Sequence, residues 1–131
     1  MYRYLSRLVD TLMGRRDIVI ETLQVERPFD SQGEISGRLR FYDGSLLIFE
    51  ELAVKTDHTI RKPRYRYHYQ RADGALVFRY DASPHYPHLP AAPHHKHIGN
   101  RVVPARPPDL SDVLREIDAL LYSPGASPVL P

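Results

Sequence analysis

A chain of 131 residues with 42% apolar composition suits one domain built around a single modest core. It has no cysteine, which excludes disulfides and thiolate metal sites, and no apolar run nears the roughly 20 residues that a bilayer-crossing helix needs. The 18 basic and 16 acidic residues leave a formal charge of only +2, so a general polyanion-binding surface is not dictated by net charge.

The first element is a helix. Leu5, Leu8, Val9 and Leu12 follow the spacing of one helical face, and Gly14 stands where a helix C-cap glycine would, which predicts a helix over Arg3 to Met13. From Asp17 the pattern changes to "DIVIETLQVERPF", a β-branched run closed by Pro28 and then Ser31-Gln32-Gly33, read as a strand and a turn. The second strand follows in "EISGRLRFYDGS". Ile35, Leu39 and Phe41 alternate with Ser36, Arg38 and Arg40, and Asp43-Gly44 supplies the left-handed conformation of a tight turn. The third, "LLIFEELAVK", alternates poorly, as expected of a central strand or a bulged one.

The stretch "RYRYHYQRADGALVFRYD" alternates strictly on both sides of Asp73-Gly74 and predicts a hairpin. A two-residue turn there pairs Tyr69 with Phe78 and His68 with Arg79, whereas a loop two residues longer pairs Tyr69 with Leu76. Either register puts Tyr65, Tyr67, Tyr69, Leu76, Phe78 and Tyr80 on one face, suited to a core. Arg64, Arg66, His68, Val77, Arg79 and Asp81 share the other. Between Arg61 and Arg79 six basic residues face the single acid Asp73, so this stretch favours an anionic partner.

Beyond Asp81, Pro84, Pro87, Pro90 and Pro93 recur every third residue, which favours an extended strap. His85 to His97 holds five of the seven histidines. Then "PPDLSDVLREIDALL" predicts a second helix with Asp109 as its cap and Leu110, Val113, Leu114, Ile117, Leu120 and Leu121 as its apolar stripe. The architecture expected is α+β: an antiparallel meander of about five strands packed with two amphipathic helices. Residues 1–122 would form one domain, followed by a loose tail over 123–131. No signal-peptide pattern precedes the first strand, so a cytoplasmic protein is expected.

Three chemistries suit the histidine cluster. Acid–base cleavage of RNA needs a base, an acid and cations at the phosphate, because the 2′-hydroxyl already adjoins the phosphorus. Candidates for proton transfer are His68 with His94, His95 or His97. Arg64, Arg66, Arg79 and Lys96 are candidates for phosphate binding, and Asp81 for orienting a neighbouring side chain. This reading calls on no cofactor and no metal. Zinc ligation through the histidines is the second chemistry, although no acid lies between Asp81 and Asp109. The third is contact alone, with a solvated cationic strand face as a docking surface. No cysteine nucleophile, glycine-flanked serine elbow or phosphate-cradling glycine loop occurs.

The segments "ISGRLRFYDGSLLIFEEL", "RYRYHYQRADGALVFRYDASPHYPHLPAAPHHKH" and "DLSDVLREIDALL", in that order, resemble the TumE-type toxins of type II toxin–antitoxin modules. The resemblance covers about residues 17 to 122 and leaves residues 1 to 14 as an extension. It implies a cognate antitoxin partner, commonly a helix-turn-helix DNA-binding protein. Ribonuclease action on RNA follows only by analogy with other small toxins. No membrane partner is implied, and a homodimer is left open.

Overall fold

In the computed structural model, which describes residues 1–82 and 93–122, two helices flank a run of seven strands. Helix α1 spans Tyr2–Met13 and buries Leu5, Leu8 and Leu12, the face its spacing specifies. Gly14 caps it by donating its N–H to Asp10 O at 2.9 Å, with φ −77°, so the position does not use the left-handed region. Helix α2 spans Leu110–Leu121. Asp109 accepts from the Asp112 N–H at 2.7 Å and Asp112 accepts from the Asp109 N–H at 3.0 Å, which satisfies two otherwise orphaned donors. Leu110, Val113, Leu114, Ile117 and Leu121 are buried, but Leu120 is 51% exposed and leaves the stripe expected for it.

The strands are β1 (Ile18–Phe29), β2 (Gln32–Phe41), β3 (Leu46–Thr56), β4 (Thr59–Gln70), β5 (Leu76–Ala82), β6 (His94–Ile98) and β7 (Arg101–Pro104). They form one antiparallel meander in chain order. The sheet therefore exceeds the five strands expected by the pair β6–β7. Five and four residues long, these strands carry too little alternation to register as strands, and prolines stand beside them. The signal that marks them is the turn, where Gly99 sits at φ +58° before Asn100. The spaced prolines Pro84, Pro87 and Pro90, with His85 and His88, lie outside the described residues, as does the tail from 123 to 131.

In the β4–β5 hairpin Tyr69 pairs with Phe78 and His68 with Arg79, as in the first of the two registers, but a bulge after Tyr69 pairs Gln70 with Leu76, so the loop is not the two-residue turn expected, and Val77 rather than Leu76 packs against the core. Gly74, at φ +91°, provides the turn. Strand β3 is internal, and its pairing with β4 slips between Leu52 and Val54, where β4 carries one extra residue around Pro63. Proline has no N–H for the ladder, so a bulge is where a strand tolerates it.

Each strand sends alternate side chains to opposite faces. On one face Ile35, Leu39, Phe41, Leu47, Phe49, Tyr65, Tyr67, Tyr69 and Phe78 join both helices in a single core. Burying each such side chain contributes about 1.5–3 kcal/mol, enough in sum to hold the helices there; among the described residues neither helix covers the other, open face. No helix among the described residues is long and apolar enough to cross a membrane.

Candidate functional site

The open face is richest in chemistry across β4, β5 and β6. One cross-strand row runs His68, Arg79, His97, Val102; the next runs Arg66, Asp81, His95, Pro104. Residues 94–97, which the sequence reading leaves in the histidine-rich strap, instead extend the sheet as its sixth strand. Alternation then divides them. His95 and His97 share the open face with His68, Arg64, Arg66, Arg79 and Asp81, while His94 and Lys96 point to the helix side.

On the open face the side chains converge. Asp81 Oδ1 lies 3.0 Å from His95 Nε2 and 3.5 Å from His97 Nε2, and the two imidazoles meet edge to face with centroids 5.3 Å apart. The other carboxylate oxygen, Oδ2, lies 3.6 Å from Arg79 Nε. Burial is strong here, for His95 is only 1% exposed. It pushes the His97 imidazole below the usual histidine value, opposed by Asp81 and reinforced by Arg79 and His95. His68 Nε2 is 2.9 Å from Gln70 Oε1, one strand beyond Arg79. Arg66 and Arg64 are exposed, Arg64 reaching Glu34 at 3.9 Å.

On the helix side the two diverted residues have structural partners. Lys96 Nζ donates to Glu116 Oε2 at 2.7 Å and lies 4.7 Å from the centre of the Tyr80 ring. Burial works against the Lys96 charge, but hydrogen bonds with Glu116 and Tyr80 outweigh it and raise its pKa. His94 stacks on Tyr65 with its Nδ1 2.9 Å from the phenol, and burial, with His95 and Lys62 nearby, lowers its pKa. Neither is placed to touch a ligand on the open face.

A second polar cluster was not anticipated. Glu51, 3% exposed, accepts hydrogen bonds from Tyr67 Oη at 2.6 Å and from Tyr4 Oη. Lys62 donates to Tyr67 Oη at 2.6 Å and to Pro108 O, and burial lowers its pKa against the pull of Glu51. The signal was available: Glu51 shares the parity of Leu47, Phe49 and Ala53, so an acid stood in an apolar register. The cluster ties α1, β3, β4 and the entry to α2 together.

The family model described as Toxin TumE matches residues 5–121, which includes most of α1 that the resemblance had left outside. Comparison with curated proteins and with solved structures gave no match.

Proposed function

This chain belongs to the TumE toxin family, and from its standing as the toxin of a toxin–antitoxin pair we propose that it acts by cutting RNA on the open face of β4–β6. The observation that carries this reading is the row His68, Arg79, His97 beside the row Arg66, Asp81, His95 on one face. Adjacent strands lie about 4.8 Å apart, so the backbones of His68 and His97 stand roughly 10 Å apart with Arg79 between them, which leaves room for a phosphate between the two side chains. A phosphodiester held by Arg79 and Arg66, with Arg64 at the margin, meets imidazoles from two sides. One takes the proton of the 2′-hydroxyl as that oxygen attacks phosphorus. The other protonates the departing 5′-oxygen, leaving a 2′,3′-cyclic phosphate and a 5′-hydroxyl. Asp81 fixes His95 and His97 in place.

The partner implied by the family is an antitoxin, which we propose to be a helix-turn-helix DNA-binding protein. A second reading of the chemistry is metal-assisted cleavage, favoured by the convergence of Asp81, His95 and His97. Inhibition by contact alone makes no use of that convergence.

RNA incubated with the purified toxin separates these readings. Fragments ending in a cyclic phosphate are expected, and RNA left intact with and without added divalent ions overturns the enzyme in favour of a binding module. In cells, His68→Ala or His97→Gln relieves growth arrest while the protein still folds.

A further inference from the structure

We propose that Asp81, His95 and His97 form a three-ligand site for a divalent transition-metal ion of the zinc class. One oxygen and two nitrogens from these residues lie within 4.8 Å of one another. More specifically, both Nε2 atoms lie close to the same carboxylate oxygen, at 3.0 and 3.5 Å. A tetrahedral ion bonded at about 2.0–2.1 Å holds its ligands about 3.3 Å apart, so the two carboxylate–imidazole spacings already match the edges of such a polyhedron.

The backbone explains why these three atoms meet. His95 and His97 are two apart on β6 and therefore face the same way, and Asp81 is the direct cross-strand partner of His95. A ligand set on paired strands is rigid, and its burial strips competing water from the ligands. Imidazole nitrogen with one carboxylate suits zinc, cobalt or nickel; magnesium and calcium prefer all-oxygen shells. Two neutral imidazoles and one carboxylate leave a bound dication with an excess positive charge. Arg66 and Arg79 on the same rows add to it, so an anionic ligand fits the remaining coordination position and a second cation does not.

Three protein ligands leave a position open, the arrangement of catalytic rather than structural zinc sites. An ion there would occupy the nitrogen that His97 needs for proton transfer, so a loaded site belongs to the metal-assisted reading: the ion would polarise a phosphoryl oxygen that Arg66 and Arg79 hold beside it, and His68 would remain the free imidazole of the row. Only this role rests on the ribonuclease reading; occupancy does not.

The test uses the full chain, freed of metal by chelator and dialysed, then titrated with cobalt(II) and with zinc(II). One equivalent is expected to bind, with visible cobalt bands of a low-symmetry site and a rise in Tm. Asp81→Asn and His97→Gln, chosen as near in shape to the native residues and checked by circular dichroism, are expected to weaken binding by ~100-fold or more. His58→Ala, in the β3–β4 turn, binds as the native chain does. Absence of stoichiometric binding, or equal binding by the two site variants, overturns the proposal. If metal binds as stated and RNA stays intact, the ribonuclease reading falls and the site stands. If metal-free protein binds neither ion yet cuts RNA, the site falls and the ribonuclease stands.

Discussion

His95 Nε2 lies 3.0 Å from Asp81 Oδ1 across the β5–β6 pair, and the imidazole is almost completely buried. Replacing Asp81 by alanine removes the carboxylate that lies against this imidazole, His97 and Arg79. A destabilisation of about 1–3 kcal/mol is expected from loss of a partly buried polar group with three close partners, with a smaller loss in Asp81→Asn, which keeps the shape and one polar oxygen. Urea unfolding of the metal-free protein measures both. Equal stability of native and alanine forms would show that the pair holds nothing together.

Division of the 94–97 segment between two faces predicts a matching division of RNA binding. Arg66→Ala removes an exposed cation from the open face, so binding to single-stranded RNA weakens and the slope of log K against log salt falls by about 0.7, the value for one lost phosphate contact. Lys96→Met keeps the alkyl stem against Phe78 and Tyr80 and leaves that slope unaltered, because Lys96 is engaged with Glu116 on the other side. Filter binding across a salt series reads both variants. A slope change for Lys96→Met with none for Arg66→Ala would reverse the faces.

Where alternation is long, the sequence specifies the structure closely: Tyr65, Tyr67, Tyr69 and Phe78 are core, and the parity that makes them so also gathers Arg64, Arg66, His68, Arg79 and Asp81 opposite. Both helices were equally legible, since their stripes and the Asp109 cap are local features. His94 to His97 show the limit. Their chemistry was evident from composition, but which imidazole reaches which face depends on pairing with β5, a non-local fact that a strand of five residues does not announce. Leu120 shows another, because a leucine at the margin of a stripe is buried only if a neighbour covers it. Glu51 was overlooked because its partners Tyr4 and Tyr67 are brought to it by a helix and a strand distant in sequence.

Gly37 in β2 leaves room for an aromatic ring. A Cβ there would come within 2.9 Å of Phe49 Cε1 and 3.0 Å of Thr22 O, one neighbour a packed ring and the other backbone. Gly37→Ala is therefore expected to destabilise by about 1–3 kcal/mol despite alanine's smaller loss of backbone entropy on folding. Pairing it with Phe49→Leu, which withdraws the ring, should recover part of that loss. Thermal unfolding of the single and double variants decides it, and additive losses would place the strain elsewhere.

The buried Glu51 cluster responds asymmetrically to loss of its members. Tyr4→Phe deletes one donor and leaves Glu51 held by Tyr67, for a cost of about 1 kcal/mol. Glu51→Ala strands two phenols and removes the nearby charge that supports Lys62, so about 3 kcal/mol is expected. A double-mutant cycle in urea should give a coupling energy well above zero. Independent effects would mean that the residues pack side by side without acting as a network.

Acid sensitivity should arise where the segment after α1 meets α2. Arg15 bonds Asp17 through Nε at 3.1 Å and Nη2 at 2.8 Å, and bonds Asp118 of α2 through the same guanidinium. The Arg15 hydrogen bonds hold the Asp17 carboxyl below its usual value, against partial desolvation and with help from Tyr122 Oη at 3.2 Å. A carboxyl whose folded pKa is depressed binds its proton more readily when unfolded. Its contribution is therefore complete above the ordinary aspartate pKa near 4 and disappears as pH falls through the lower folded value. Stability of the native chain should decline over that acidic window, and Arg15→Gln should flatten the decline while lowering the plateau above it. Urea midpoints taken on both sides of the ordinary aspartate pKa of about 4 supply the comparison. Parallel curves for the two proteins would remove Asp17 as the source of the slope.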